Sequence, residues 1–164
     1  MGRGTGDIIL ELIKKNKIVN SENLIILSDP NIKMIKESFK KFNNAKNIYN
    51  VANYGEELPF KSNQFDLVTM SFSLRNTYNL KKTIKEINRV LKKNSQFLCL
   101  EFGKISNPVI NEIYQIYSQN FIPKIGSFVA ENQDAYEYLI QSIKKFPDQK
   151  KLSNILKLNG FKNV

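Results

Sequence analysis

The stretch Gly4-Thr5-Gly6-Asp7, inside GRGTGD at residues 2–7, has the residue types of a turn that receives a nucleotide. Its glycines allow close backbone approach, and the helical pattern DIILELIKK (7–15) starts at its last residue. A dinucleotide fingerprint would place glycine at positions 2, 4 and 7, whereas this chain has Gly2, Gly4 and Gly6, then Asp7. A carboxylate at a helix N-terminus competes with a pyrophosphate for the same dipole. S-adenosylmethionine carries no phosphate, and its ammonium and sulfonium tolerate Asp7. Asp29, at the end of the apolar run NLIILS (23–28), is placed to accept hydrogen bonds from ribose hydroxyls. The pattern therefore favours a methyl donor over a nicotinamide dinucleotide. Asp7 also reads as a first-turn helix cap, and the two roles are compatible.

Such residues act together only if a scaffold gathers strand ends. The chain alternates between short apolar runs and segments of helical period. Strands are expected at 23–28, 47–52, 64–72 and 96–102, and helices at 7–15, 31–42 and 80–93. Aromatic-rich helical segments follow at 109–122 and 133–146. A last helix at 148–159 stops at Gly160, and FKNV begins what reads as another strand. This order implies an α/β, doubly wound, mostly parallel sheet of Rossmann-like type in a single domain over 1–164. In such sheets ligands bind outside the carboxyl ends of the strands. Asp29, Tyr54-Gly55, Ser71 to Asn76 and Glu101-Phe102 all fall at such ends.

Composition narrows the class. The 164 residues are 41% hydrophobic and 24% charged, as in ordinary globular proteins. No apolar run approaches the roughly 20 residues of a membrane-spanning helix, and the glycine turn at the start leaves no room for a signal peptide. The net charge of +10 does not mark a nucleic-acid binder: its lysines lie on helix faces opposite apolar stripes such as Ile84, Ile87 and Leu91. Those lysines give a mild attraction to anionic membrane surfaces. Cys99, inside QFLCLEF, reads as a buried reduced thiol, consistent with a cytoplasmic or equivalent organellar compartment. No metal is expected.

The blocks GEELPFKSNQFDLVTMSFSLRN, EINRVLKK, FLCLEFGK and IPKIGSFVAENQDAYEYLIQSIKKFPDQKKLSNILKLNGFKNV are spread over residues 55–164. Together they closely resemble the ubiquinone/menaquinone biosynthesis C-methyltransferase family, with SFSLRN, LEFGK, IGSFVA, AYEYLIQSI and FPDQ the most specific. The resemblance implies transfer of a methyl group from S-adenosylmethionine to a ring carbon of a polyprenylated benzoquinol or naphthoquinol. It implies donor contacts from Gly4, Thr5, Gly6, Asp7, Asp29, Tyr54, Gly55 and Ser71. The family has Asp or Asn followed by Ala where this chain has Tyr54-Gly55, with Asn53 as the neighbouring amide. Arg3 stands where the family has a small residue. Other readings remain: a methyltransferase for another small apolar acceptor, or a donor-binding module without activity.

Methyl transfer to carbon needs positioning above all, plus stabilisation of the quinol oxygen as it loses its proton. The chain has no histidine to serve as a neutral-pH base. Arg75 and Asn76, in LRN, are the expected catalytic pair: Arg75 stabilises the developing phenolate or orients a water, and Asn76 fixes the ring. The alternative for Arg75 is a salt bridge to a helix carboxylate. Tyr138, with Tyr136, is a candidate wall for the ring. Tyr117 lies on the stripe Ile110, Ile113, Tyr114, Tyr117, Phe121, which either packs on the sheet or guides the isoprenoid tail. A peripheral position at the inner face of a membrane, the mitochondrial matrix in a eukaryote, and contact with a quinone-biosynthesis complex would suit such a substrate. In the family the GRGTGD turn follows a strand, and a hairpin follows the segment that ends here in GFKNV. These 164 residues are therefore expected to be an incomplete chain that holds the donor weakly, if at all.

Overall fold

The computed structural model of the protein describes Gly2 and residues 23–42, 45–104 and 133–164. The expected helices at 7–15 and 109–122, with Gly4 to Asp7, Tyr117 and the side chain of Tyr136, lie outside the described residues. The chain divides into two compact units, Met1–Glu101 and Phe102–Val164.

The first unit contains two β-α-β units in succession. Strand β1 (Ile25–Asp29), helix α1 (Ile32–Phe42) and strand β2 (Ile48–Ala52) form the first, with β1 and β2 parallel and Asp29 opposite Ala52. Their alternation puts Ile25, Leu27 and Ile48 under α1, where Leu27, Phe42 and Ile48 form a small core flanked by Ile25 and Ala45. A buried Ser38 hydroxyl donates to Asn50 Oδ1 at 3.2 Å, so α1 is also fixed by a polar link. At its start, Asn31 Oδ1 accepts from the Lys33 N–H at 2.9 Å, and at its end Lys40 and Lys41 suit the dipole.

Strand β3 (Phe65–Ser71), helix α2 (Leu80–Val90) and strand β4 (Leu91–Leu100) form the second, again with parallel strands and Ser71 opposite Leu100. Val68 and Met70 are buried, as are Thr83, Ile84, Ile87 and Val90 on the inner side of α2. Asn79 caps α2 by accepting from the Lys82 N–H at 3.0 Å. Arg89 then ties the helix to the preceding loop, donating to Leu58 O at 3.0 Å, to Phe60 O at 2.8 Å and to Glu86 at 2.7 Å.

Two expectations change here. Helix α2 ends at Val90 rather than 93, and β4 starts at Leu91 rather than 96. Leu91 satisfies the helical period, yet it turns extended because it is buried opposite Phe65, with Lys92 Nζ 2.8 Å from the Asp66 carboxylate. The left-handed Asn94 (φ 65°) then accommodates the irregular register at the start of the strand.

In the second unit, α3 (Gln133–Lys145) leads through the buried Phe146 to α4 (Gln149–Leu158). Asp148 caps α4 by accepting from the Lys151 N–H at 2.8 Å, which holds its carboxyl below the ordinary range. Gly160, at φ 92°, stops the helix as its position suggested. The strand expected from FKNV does not form: residues 161–164 are irregular. The Phe161 N–H donates to Leu156 O at 3.2 Å to close the helix, and Asn163 is left-handed at φ 53°.

Candidate functional site

The carboxyl ends of β1, β2, β3 and β4 carry the residues singled out from the sequence. Asp29 ends β1 with only 8% of its surface exposed, and its Oδ1 accepts from the Asn31 N–H at 2.9 Å. This Asx turn both launches α1 and fixes the carboxylate at the strand end. A fixed acceptor in that place suits a pair of ribose hydroxyls.

Tyr54 and Gly55 follow β2 in a loop built by Asn53. The Ser28 hydroxyl donates to Asn53 Oδ1 at 2.7 Å, and Asn53 Nδ2 donates to Tyr54 O at 2.9 Å. Asn53 therefore serves the loop, and the exposed side chain it presents is the ring of Tyr54. That ring lies 5.8 Å from the ring of Tyr78, tilted by 55°. Tyr54 and Tyr78 are 55% and 86% exposed, an unusual display for two large aromatic side chains at one edge. The Asn79 N–H donates to Glu56 Oε1 at 2.9 Å, so the loops after β2 and β3 are joined beside the pair. Sequence reasoning missed Tyr78; its only signal was an aromatic residue directly before the helix cap Asn79.

Ser71 ends β3 and is half-buried. Beyond it the backbone is constrained. Phe72, a bulky residue, is left-handed at φ 52°, and its N–H donates to Leu100 O at 2.8 Å. Such a conformation costs on the order of 1–3 kcal/mol and persists only where the surroundings over-determine it. Gly2, itself at φ 55°, lies so close that a Cβ there would overlap the Ser73 side chain. The beginning of the glycine-rich stretch thus touches the turn that carries Arg75 and Asn76, and only glycine fits the contact.

Arg75 and Asn76 form a single 3₁₀ turn with Leu74, closed by the Thr77 hydroxyl donating to Leu74 O at 2.8 Å. The Arg75 guanidinium donates from Nη1 to Glu101 Oε2 at 2.8 Å, and its backbone N–H donates to Glu101 Oε1 at 3.2 Å. The two side chains are 8% and 5% exposed. The carboxylate partner of Arg75 is therefore at a strand end, not on a helix, and the turn after β3 is clipped to the end of β4. Asn76 is exposed.

Cys99, two residues before Glu101, is half-buried and unpaired with another cysteine. Burial pushes its thiol up to about 11, and the Glu101 charge adds to the effect, so it is a poor nucleophile near neutral pH. Beside the site, hydrogen bonding from Arg89 holds the Glu86 carboxyl below the ordinary carboxylate range. Tyr138 lies exposed on α3 of the second unit.

The edge thus offers a fixed carboxylate, a hydroxyl, flat aromatic surface and a buried cation, with Gly2 against Ser73. The described residues fit a donor with ribose hydroxyls, a purine and a positively charged sulfur.

Comparison with known proteins agrees. The family model described as the ubiE/COQ5 methyltransferase family matches residues 1–164. A ubiquinone/menaquinone biosynthesis C-methyltransferase of Rickettsia prowazekii is 42% identical over 164 residues, covering 98% of this chain and 66% of that protein. The corresponding enzyme of Rickettsia typhi is 43% identical over 167 residues, with the same coverage of 98% and 66%. The chain therefore spans a little under two thirds of the length of these relatives. Among solved structures, a SAM-dependent methyltransferase from Aquifex aeolicus superposes with a TM-score of 0.67 at 16% identity, over 98% of this chain and 69% of that one. A carbon methyltransferase, CurJ, gives a TM-score of 0.69 at 17% identity, over 98% and 40%. These likenesses show the fold: an α/β, Rossmann-like class I methyltransferase fold.

Proposed function

Because the chain belongs to the ubiE/COQ5 methyltransferase family, we propose that it serves the C-methylation of a polyprenylated benzoquinol or naphthoquinol, with S-adenosylmethionine as methyl donor. The observation that supports this reading is that Asp29, Tyr54, Ser71 and Arg75 each fall at or just beyond the carboxyl end of a parallel strand.

When bound, the donor supplies an electrophilic methyl group on a sulfonium. Asp29 holds its ribose hydroxyls, Tyr54 and Gly55 border its adenine, and Ser71 lies by its methionine part. Gly4, Thr5, Gly6 and Asp7 complete this set by family resemblance. Asn76, exposed beside the strand end, orients the quinol ring. Arg75 offers only hydrogen-bond donors, so it lowers the energy of the developing phenolate by its field rather than by taking the proton. Glu101 keeps the guanidinium in place. The quinol proton leaves to water, since the chain has no histidine. Tyr117 and Tyr138 are assigned to the acceptor side on the same reading.

Among the described residues no helix is long and apolar enough to cross a membrane. A cytoplasmic protein acting at the inner face of the membrane, or in the matrix of a mitochondrion, fits a substrate with an apolar tail. Contact with other quinone-biosynthesis enzymes fits the same setting.

Incubation with methyl-labelled donor and a short-chain, unmethylated quinol tests the reading. Label on a ring carbon is expected. Saturable donor binding without any transfer would favour an inactive donor-binding module, and transfer to oxygen would reject C-methylation.

A further inference from the structure

The outer face of α1 is not used by the core. Ser38 and Phe42 are buried and Met34 and Ile35 half-buried against the β1–β2 pair, which turns the opposite side of the helix to solvent. That side carries Lys33, Lys36 and Lys40, and Ile32 and Phe39, 61% and 59% exposed, lie along one flank of it. At 3.6 residues per turn, positions 32, 36 and 39 lie on one stripe. Lys33 and Lys40 border it, and Lys41 and Lys46 are exposed nearby. Residues 32–46 contain five lysines and one acidic residue, Glu37, whose carboxylate is 2.8 Å from Lys40 Nζ. A helix with exposed large apolar side chains beside a lysine-rich face matches a bilayer interface: the apolar groups enter the acyl boundary and the ammonium groups meet anionic headgroups.

We infer that the outer face of α1 docks the protein on an anionic lipid surface. The face begins three residues beyond Asp29, so docking brings the carboxyl end of β1 near the lipid surface. An acceptor with an apolar tail would then reach the site without crossing bulk water. The docking itself depends only on Ile32, Phe39 and the lysines, and it stands apart from the proposed chemistry.

The test is co-sedimentation of the 164-residue chain with vesicles of phosphatidylglycerol and phosphatidylcholine in equal parts, against vesicles of phosphatidylcholine alone. Binding to the anionic vesicles is expected to be at least roughly tenfold stronger, with each lysine contributing about fivefold near the surface. Lys33→Glu with Lys36→Glu should therefore weaken binding by roughly 25-fold or more. Ile32→Ser with Phe39→Ser, which leaves the charge intact, should weaken it by roughly tenfold. The same charge change made on α4, by Lys150→Glu with Lys157→Glu, should leave binding close to that of the unmodified chain. All these positions are exposed, and equal melting temperatures verify that the fold is kept. Equal loss from the α1 and α4 variants would overturn the inference by reducing it to net charge. Indifference to the Ile32 and Phe39 changes, or equal binding to both vesicle types, would also overturn it. So would binding to a single-stranded RNA oligonucleotide with none to vesicles.

Discussion

The two β-α-β units share a plan but not a means of support. In β1–α1–β2 the core is small, and its apolar members Leu27, Phe42 and Ile48 each keep some solvent contact. Polar links do much of the fixing there: Ser38 to Asn50, Ser28 to Asn53, and Asp29 to the Asn31 N–H. In β3–α2–β4, Leu74, Ile84, Ile87 and Val90 are fully buried, and a nearly buried ion pair, Arg75–Glu101, closes the carboxyl edge. β1–α1–β2 carries Asp29, the proposed donor-binding acid, on a lightly packed frame. β3–α2–β4 holds Arg75, the proposed acceptor-side cation, in a dry one. Loss of a site residue should therefore damage binding in the first and folding in the second.

The largest effect is expected from Glu101→Gln. It removes the Glu101 charge from the buried Arg75 guanidinium, and breaking such a pair costs about 3–5 kcal/mol in comparable cases. Chemical denaturation should show the loss, and replacing both residues by Arg75→Met with Glu101→Leu should recover most of it while abolishing methyl transfer. Full stability of Glu101→Gln would remove the contrast between the units.

Core truncation comes next. Ile87→Ala should cost about 3–4 kcal/mol, toward the upper part of the range for buried aliphatic residues, and Leu27→Ala about 2–3 kcal/mol. Equal denaturation midpoints for the two variants would show that the cores are equally deep.

Smaller effects sharpen the picture of β3–α2–β4. Thr83 Oγ1 is buried without a hydrogen-bond partner among the described residues. Thr83→Val keeps the shape and removes the unpaired hydroxyl, so a gain of about 1 kcal/mol, seen as a higher melting temperature, is expected. Cys99 supplies a pH test. Its thiol titrates at about 11 in the folded chain against 9.0 ordinarily. The folded state therefore keeps the proton longer, and the contribution is full below pH 9 and is lost as pH rises toward 11. Solvent contact of the half-buried thiol makes the effect modest. Cys99→Ala should flatten stability between pH 9 and 11; an unchanged decline would assign it to other groups.

Much of this was legible beforehand because apolar period and strand-end position are local signals. The runs around Leu27, Val68 and Cys99 indicated parallel strands, and Asp29 and Ser71 fell where the fold places ligand-facing residues. What escaped depended on partners far along the chain. Leu91 met the helical period, and only its pairing with Phe65 makes it a strand residue. FKNV had strand composition, but the Phe161 N–H is taken by the end of α4. Arg75 reads from the sequence as a phenolate-stabilising residue or the partner of a helix carboxylate, whereas Glu101 as its partner required the register of β3 against β4. Tyr78 gained significance only when its ring was found against Tyr54.

The division of labour between the units is tested most directly by titrating S-adenosylmethionine into the chain and into its Asp29→Asn variant, both well below their melting temperatures. The expected result is weak but saturable binding that Asp29→Asn weakens further, at least roughly tenfold, the worth of one charge-assisted hydrogen bond, with the melting temperature little changed. Equal affinity in the two proteins, or a collapse of stability in the variant, would contradict it.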